Sequence, residues 1–199
     1  MPLLPDRQSE TLCEVPPAAI TDGRILYFER DRAQFGFLSH FHPSPFNLDG
    51  EDWPTVEHFY QAQKSLNAAY RAAVRAAETP GTAKRLAANP GQQGRAAKKS
   101  WFINAGESPR DDWRDVKLDI MRRADFAKFS QNSNLGQKLI ATGTAELIED
   151  SPHEPFWGIG QDGAGANWAG RVLMEIRALL SKGGTPEALD KAAAKEAEA

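Results

Sequence analysis

The side chains best able to do chemistry lie between Trp53 and Lys64, in the segment W-P-T-V-E-H-F-Y-Q-A-Q-K. Thr55 is a good helix N-cap and neither proline nor glycine follows it here, so the sequence predicts a helix over 55–66. On that helix Glu57 and Lys64 would lie almost two turns apart on one face, about 10 Å along the axis. An acid and an amine on a half-buried face indicate a site for proton-transfer or nucleophilic chemistry.

A solvated helix face would explain the same residues without a site. Glu57 near the helix N-terminus favours the macrodipole, and Lys64 further along suits a charged surface. Gln61 and Gln63 stand beside aromatic residues, which indicates partial burial and favours a site. His58 would point about 100° away from Glu57, so we expect it to pack or to hydrogen-bond rather than to act as a base.

A glycine-rich segment, F-W-G-I-G-Q-D-G-A-G-A-N, runs from Phe156 to Asn167 directly into a predicted helix. Its backbone amides could approach a phosphate at the helix N-terminus, and Trp157 could stack on a base. The alternative is a plain turn in which Asn167 caps the helix and Trp157 is buried. The four glycines are Gly158, Gly160, Gly163 and Gly165.

The roles of two basic residues cannot be decided from their spacing alone. Lys117 interrupts the apolar stripe of a helix predicted over 112–129, four residues after Trp113. It could hold an anion, although a snorkelling lysine at the edge of the core is slightly favoured. Arg110 lies just before this helix, and its role is equally undecided.

Composition and motif searches exclude several classes of protein. The chain has 199 residues and a net charge of -3, which argues against a general nucleic-acid binder. The single cysteine, Cys13, cannot form an internal disulfide, and no segment resembles a membrane span or a signal peptide. A cytoplasmic protein is therefore expected. The four histidines show no metal-ligand spacing, so neither a metal nor a cofactor is predicted.

Periodicity predicts one compact, predominantly helical α+β domain over 21–182 with a small β-sheet. A proline-rich leader at 1–20 is expected to be disordered, and 183–199 to form a flexible charged tail. Residues 35–49 are expected to be mostly extended, with a hairpin turn at Asp49–Gly50. The predicted strands are 25–28 and 147–148, and the predicted helices are 55–66, 68–78, 82–88, 112–129, 134–141 and 168–181.

Several motifs together resemble the YbiA-like, or NADAR, family of N-glycosidases. They are G-F-L-S-H-F-H-P-S-P-F, W-P-T-V-E-H-F-Y-Q-A-Q-K, D-W-R-D-V-K-L-D-I-M-R-R-A-D-F-A-K-F-S-Q-N, L-I-A-T-G-T-A-E-L-I-E-D-S and F-W-G-I-G-Q-D-G-A-G-A-N-W-A-G-R-V-L-M-E-I-R. The match runs in order from about Ile25 to Leu180. Because several blocks match together, the resemblance is specific.

The resemblance implies a hydrolase of N-glycosidic bonds in phosphorylated ribosides. Similar members cleave ribosylamine phosphate intermediates of riboflavin biosynthesis and release ribose 5-phosphate, while related members remove ADP-ribose from guanine in nucleic acid. The family's glutamate and lysine fall on Glu57 and Lys64. Its helix tryptophan and lysine fall on Trp113 and Lys117, and its W-G-x-G loop begins at Trp157 and ends at Gly160.

The chain departs from the family pattern at three positions. His40 replaces the usual asparagine after F-L-S, and Glu154 replaces a common aspartate; both remain predicted substrate contacts. Ile159 stands where many relatives carry an aspartate, so no role is assigned to it.

The chemistry implied needs no metal, because the ring of a glycosylamine can open to an imine. Lys64 could then displace the base through a Schiff base while Glu57 moves protons; direct attack by water activated by Glu57 is the rival. The glycine loop and the following helix would hold the 5′-phosphate.

Two other functions stay open. In the first, the substrate is ADP-ribosylated guanine in nucleic acid, and the nucleic-acid strand binds the long 89–111 loop. This loop has a possible helical piece. In the second, the chain is a non-catalytic nucleotide-binding module, which the pair of Glu57 and Lys64 argues against. The basic and aromatic residues of the loop are Lys98, Lys99, Trp101 and Arg110.

Overall fold

The computed structural model describes residues 22–27, 34–88 and 100–185. The predicted leader, most of the predicted tail, and Lys98 and Lys99 lie outside these ranges. The α+β class is confirmed, with seven α-helices and four short strands in the described part of the chain. No helix there is long and apolar enough to cross a membrane. The cytoplasmic location stays a prediction.

The helices and strands lie close to the predicted ones. The strands are β1 (Arg24–Tyr27), β2 (Phe46–Leu48), β3 (Glu51–Trp53) and β4 (Glu146–Glu149). The helices are α1 (Val56–Ala62), α2 (Ala68–Arg75), α3 (Pro80–Leu86), α4 (Trp101–Ala105), α5 (Trp113–Gln131), α6 (Ser133–Ala141) and α7 (Trp168–Leu180). The segment expected to be extended begins instead with a 3₁₀ turn at Gly36–Leu38.

The strands form two separate pairs rather than one sheet. β1 and β4 are parallel, with Ile25 opposite Leu147, and α7 packs against β4. β2 and β3 form the predicted hairpin, whose turn residues Asp49 and Gly50 have φ of 57° and 77°. Positive φ at both positions is the geometry of a tight two-residue hairpin.

Helix α1 is the centre of the fold. Every one of its residues is buried, and it packs against α2, α3 and α5. The helix is shorter than predicted: it ends at Ala62, so Lys64 lies in the following turn. A buried helix cannot leave its polar side chains without partners, so the acid and amides of α1 must meet one another or an internal cavity.

Candidate active site

A cavity of about 230 Å³ lies against α1. It is lined by side chains from α1, α3, α5, β4, the 39–41 segment and the loop before α7. Seven of the residues singled out in the sequence meet there, although they are spread over more than a hundred positions of the chain. These are His40, Glu57, Lys64, Trp113, Lys117, Glu154 and Trp157.

Glu57 supplies a buried carboxyl group from the first turn of α1. Its side chain is 6 % exposed, and Gln61 Nε2 donates a 2.8 Å hydrogen bond to its Oε1. Burial raises the pKa of Glu57 above its ordinary value of 4.5, against the opposing charges of Lys84, His40 and Lys64 and the Gln61 hydrogen bond. A carboxyl group with a raised pKa keeps its proton to a higher pH than an exposed one, which suits a group that exchanges protons with a substrate.

Lys64 reaches the same cavity from the turn that ends α1. Its backbone N–H donates to the Gln61 carbonyl, and its own carbonyl accepts from the Arg110 N–H at 2.8 Å, so two contacts fix the turn. The side chain is 9 % exposed and Nζ donates to the Ala87 carbonyl at 3.1 Å. Burial lowers the pKa of Lys64 to about 8, although Glu57 and Glu154 oppose the shift. The amine is therefore partly neutral and nucleophilic near pH 7.

Three aromatic rings form one wall of the cavity. Tyr60 lies between Trp113, at a ring-centroid distance of 5.0 Å, and Trp157, at 5.4 Å. The Lys64 Nζ lies 5.9 Å from the Trp113 ring centroid. Such a wall can stack on a planar base and also desolvates the nearby amine.

His40 and Glu149 also line the cavity, and the His40 ring centroid lies 6.5 Å from that of Trp157. The His40 carbonyl accepts from the Glu57 N–H at 3.1 Å, which joins the 39–41 segment to the start of α1. Glu149 lies at the end of β4, and its pKa is raised by burial and by the neighbouring carboxylates Glu57 and Glu154, against the charges of His40 and Lys84.

The more exposed part of the lining carries most of the positive charge. Lys84 Nζ lies 3.2 Å from Glu154 Oε1, and both side chains are about two-fifths exposed. Lys117 Nζ lies 3.4 Å from the centroid of the Phe156 ring while also lining the cavity. Lys117 thus packs on the apolar edge, as the snorkelling interpretation expected, and still presents an ammonium to a ligand.

The glycine loop differs from its sequence-based interpretation. Gly158, Gly160, Gly163 and Gly165 do not line the cavity, and their N–H groups donate to carbonyls within the loop and its neighbours. A Cβ at Gly165 would lie 2.4 Å from the Gly158 carbonyl oxygen. These glycines therefore let the loop fold tightly on itself, and their amides are not available to a phosphate.

Asn167 also has a role other than the two expected. It has a φ of 52° and makes no side-chain cap to α7. Its Oδ1 accepts from the Glu149 N–H at 3.0 Å, and its Nδ2 donates to the Leu147 carbonyl at 2.9 Å. Asn167 does not line the cavity, so it positions β4 and with it the Glu149 side chain.

Three other candidate residues, His58, Trp101 and Arg110, make their contacts away from the cavity. The His58 ring lies 2.8 Å from Thr55 Oγ1 and 3.0 Å from the Ala77 carbonyl, as a packing histidine should. Trp101 donates to Glu107, and Arg110 pairs with Asp112. None of the three lines the cavity.

Sequence reasoning missed Lys84 and Glu149. Lys84 lies on α3, and nothing in the spacing of that short helix distinguishes it from a surface lysine. Glu149 had a signal, because a carboxylate directly after two buried strand residues is unusual, but the sequence could not show that β4 ends at the cavity.

Comparison with known proteins agrees with this geometry. The profile of the NADAR domain matches residues 26–181. The chain is 36 % identical over 157 residues to a Shigella flexneri protein named N-glycosidase YbiA, covering 79 % of this chain and 89 % of that one. It is also 36 % identical over 174 residues to a Vibrio vulnificus riboflavin biosynthesis protein, covering 87 % of this chain but 43 % of that longer one.

A solved structure shows the same fold. The NMR structure of Escherichia coli YbiA superposes with a TM-score of 0.65 at 32 % sequence identity, covering 82 % of this chain and 91 % of that one. The matched region contains the whole lining of the cavity. The chain therefore belongs to the NADAR domain family and is an enzyme of the N-glycosidase class.

Proposed function

We propose that this enzyme hydrolyses the N-glycosidic bond of a phosphorylated ribosylaminopyrimidine of riboflavin biosynthesis, releasing ribose 5-phosphate and the free base. The observation that carries the proposal is the convergence of the Lys64 amine and the Glu57 carboxyl group in one cavity beside an aromatic wall. The names of the Shigella and Vibrio relatives support the reaction and its pathway.

The size of the cavity favours a small riboside. Its volume of about 230 Å³ is just below the range of roughly 300–1,000 Å³ that is usual for ligand pockets, so it suits a mononucleotide-sized riboside better than a larger ligand. ADP-ribose joined to a nucleic-acid strand is considerably larger. In the 100–111 region, the Trp101 indole donates to Glu107 and the Arg110 guanidinium pairs with Asp112. Neither residue lines the cavity.

The residues support a Schiff-base route. The ribosylamine opens to an imine, and the neutral Lys64 amine adds to C1′. The bond between C1′ and the base nitrogen then breaks with its electron pair on the nitrogen, which leaves a protonated imine between Lys64 and the sugar. Water adds at C1′, the bond to Nζ breaks, and ribose 5-phosphate leaves. Glu57 carries protons between these steps.

The 5′-phosphate would meet Lys117 and Lys84 at the more exposed part of the cavity. This placement replaces the glycine loop, whose amides are used within the protein. Both ammonium groups line the cavity, and a phosphate could share Lys84 with Glu154 or displace that carboxylate.

Base release measured by liquid chromatography tests the proposal. The substrates are a ribosylaminopyrimidine phosphate and DNA carrying ADP-ribosylated guanine, each with and without borohydride, which reduces a Schiff base to a stable adduct. We expect turnover of the riboside and an adduct that peptide mapping assigns to Lys64.

Lys64→Met should lose the adduct and the turnover, whereas Lys117→Met should keep the adduct and bind more weakly. Robust turnover by Lys64→Met would instead establish direct attack by water. Faster release from the modified DNA than from the riboside would reassign the substrate, and binding without release from either would leave a non-catalytic module.

A further inference from the structure

A buried ion pair lies behind the cavity. His40 Nε2 is 3.1 Å from Asp125 Oδ2, and the two side chains are 9 % and 0 % exposed. His40 lines the cavity, whereas Asp125, on α5, does not. One ring nitrogen is therefore held from within the protein. No described residue hydrogen-bonds the other, Nδ1, which leaves it for a ligand.

Among the described side chains, His40 is the one that forms an ion pair with the Asp125 carboxylate. Lys128 lies one turn further along α5, but its ammonium donates to the Phe37 and Ser39 carbonyls, at 2.7 and 2.9 Å. Asp125 Oδ1 has no hydrogen-bond partner among the described residues. Asp125 also interacts with Lys128 electrostatically, but its hydrogen-bond partner among the described side chains is His40.

The charged groups around His40 favour its protonated form. Burial by itself lowers the pKa of His40, but the Asp125 carboxylate, its hydrogen bond and the Glu149 carboxylate outweigh burial and the opposing charge of Lys128. The pKa therefore lies above the ordinary 6.5. Glu57, on α1, also interacts with His40 electrostatically. The imidazolium form of His40 is thus favoured at the edge of the cavity.

We propose that His40 is the acid that protonates the departing base nitrogen, and that Asp125 is the positioning residue that orients its ring. The inference rests on the proposed N-glycosidase reaction and adds a residue to it. As the bond between C1′ and the base nitrogen breaks, a proton passes from His40 Nδ1 to that nitrogen, so the base leaves as a neutral amine. Hydrolysis of the Schiff base frees Lys64 as an ammonium, which returns a proton to His40 and closes the cycle.

The rate of base release against pH tests the assignment. The wild type needs a neutral Lys64 and a charged His40, so kcat/KM should pass through a maximum. His40→Asn installs the residue that relatives usually carry at this position, which is polar but cannot ionise, so it tests a role particular to this chain. We expect it to lower kcat/KM at pH 7 by about 100-fold or more and to remove the decline on the alkaline side. Imidazole added to His40→Ala should restore activity, and His42→Asn, two residues away and outside the cavity lining, should behave as wild type.

Two kinetic results would overturn the inference. One is an alkaline decline that persists in His40→Asn; the other is a loss smaller than tenfold. Substrates with more acidic leaving amines sharpen the test, because such amines depart without a proton. The deficit of His40→Asn should shrink as the leaving amine becomes more acidic.

A titration of the free protein separates this inference from the proposed substrate. Imidazole chemical shifts in NMR should show His40 still largely protonated at pH 6.5, while His42 and His58, whose pKa values burial lowers, are neutral. Asp125→Asn should move the His40 midpoint below that of wild type. A neutral His40 at pH 6.5 would contradict the inference even if the enzyme is active, whereas a charged His40 in an enzyme without base release would contradict only the proposed function.

Discussion

Lys64 and Lys128 are both buried lysines whose pKa burial lowers to about 8, but only Lys64 meets the cavity. Lys128 is completely enclosed, and its ammonium donates to two backbone carbonyls. Lys64 donates to one carbonyl and faces an aromatic wall. The same lowering of the pKa by burial thus occurs at a lysine that lines the cavity and at a lysine that supports backbone carbonyls away from it.

Chemical labelling should distinguish these two lysines. An amine-selective reagent small enough to enter the cavity should modify Lys64 with a rate that rises through pH 8, because only the neutral amine reacts. Exposed lysines should follow at higher pH, and Lys128 should stay unmodified in the folded protein although its pKa is similar. Peptide mass spectrometry across a pH series measures all of them. Equal labelling of Lys64 and Lys128 would show that access does not separate them.

Glu57→Gln should lower activity and raise stability at neutral pH. Base release should fall by about 10²- to 10⁴-fold, because the amide cannot carry protons. The folded state raises the pKa of Glu57 above 4.5, so ionising this group costs stability as pH rises from 4.5 through the folded pKa. The variant avoids that cost. Its gain in the free energy of unfolding should increase as the pH rises above 4.5 and should vanish at pH 4.

Urea unfolding at both pH values measures this difference, and circular dichroism checks the fold. A variant that is less stable than wild type at pH 7 would contradict the assigned cost of the buried carboxylate.

Lys128→Met should destabilise the protein. It leaves the carbonyls of Phe37 and Ser39 without their donor, and we expect a loss of about 1–3 kcal/mol in the free energy of unfolding at pH 7. The surface variant Lys182→Met should change stability by less than about 0.5 kcal/mol.

The pH dependence of stability gives a second readout of Lys128. Its folded pKa of about 8 lies below the ordinary 10.5, so between these values the unfolded chain binds more protons and stability rises with pH. Part of that rise should be missing in Lys128→Met. Urea unfolding at pH 7, 9 and 10 measures it, and an unchanged slope would contradict a lowered pKa.

Gly165 and Gly163 should respond differently to alanine. A Cβ at Gly165 would meet the Gly158 carbonyl oxygen at 2.4 Å and the Pro155 carbonyl oxygen at 2.7 Å, so the loop that carries Trp157 must shift. We expect Gly165→Ala to cost about 3 kcal/mol and to lower kcat/KM. Gly163 has a φ of 73° but open space around it, so its alanine variant should cost only about 1 kcal/mol and keep its activity.

Urea unfolding and base release measured on both variants check this contrast. Equal losses at the two glycines would show that the close packing around Gly165 adds no cost beyond the strain expected at Gly163.

Local sequence patterns were sufficient for most of the secondary structure. The hairpin turn at Asp49–Gly50 follows from residues that accept positive φ, and α5 follows from apolar side chains at three- and four-residue steps. The end of α1 was not predictable in this way. It ends at Ala62, where Tyr70 donates to the Gln61 carbonyl and Arg110 to that of Lys64, and both donors lie outside the helix, in α2 and in the segment before α5.

The role of the glycine loop could not be predicted from the sequence pattern. Glycines before a helix are equally compatible with an exposed anion cradle and with a loop whose amides are satisfied internally. The choice depends on which carbonyls approach, and those of Glu149 and Ser151 come from β4 and the segment after it. For the same reason Asn167 could be placed next to a helix but not next to Glu149.

The residue types in W-P-T-V-E-H-F-Y-Q-A-Q-K, together with the order of the other motifs, were enough to name the acid, the amine and the family, because covalent chemistry depends on the functional groups present. The tertiary structure decided which of those groups are buried together beside one cavity. The pKa of Lys64 is lowered by burial and that of His40 is raised by the Asp125 and Glu149 carboxylates, and only the tertiary structure brings these neighbours together. Desolvation and Coulomb interactions act through space, over distances that position in the sequence does not encode.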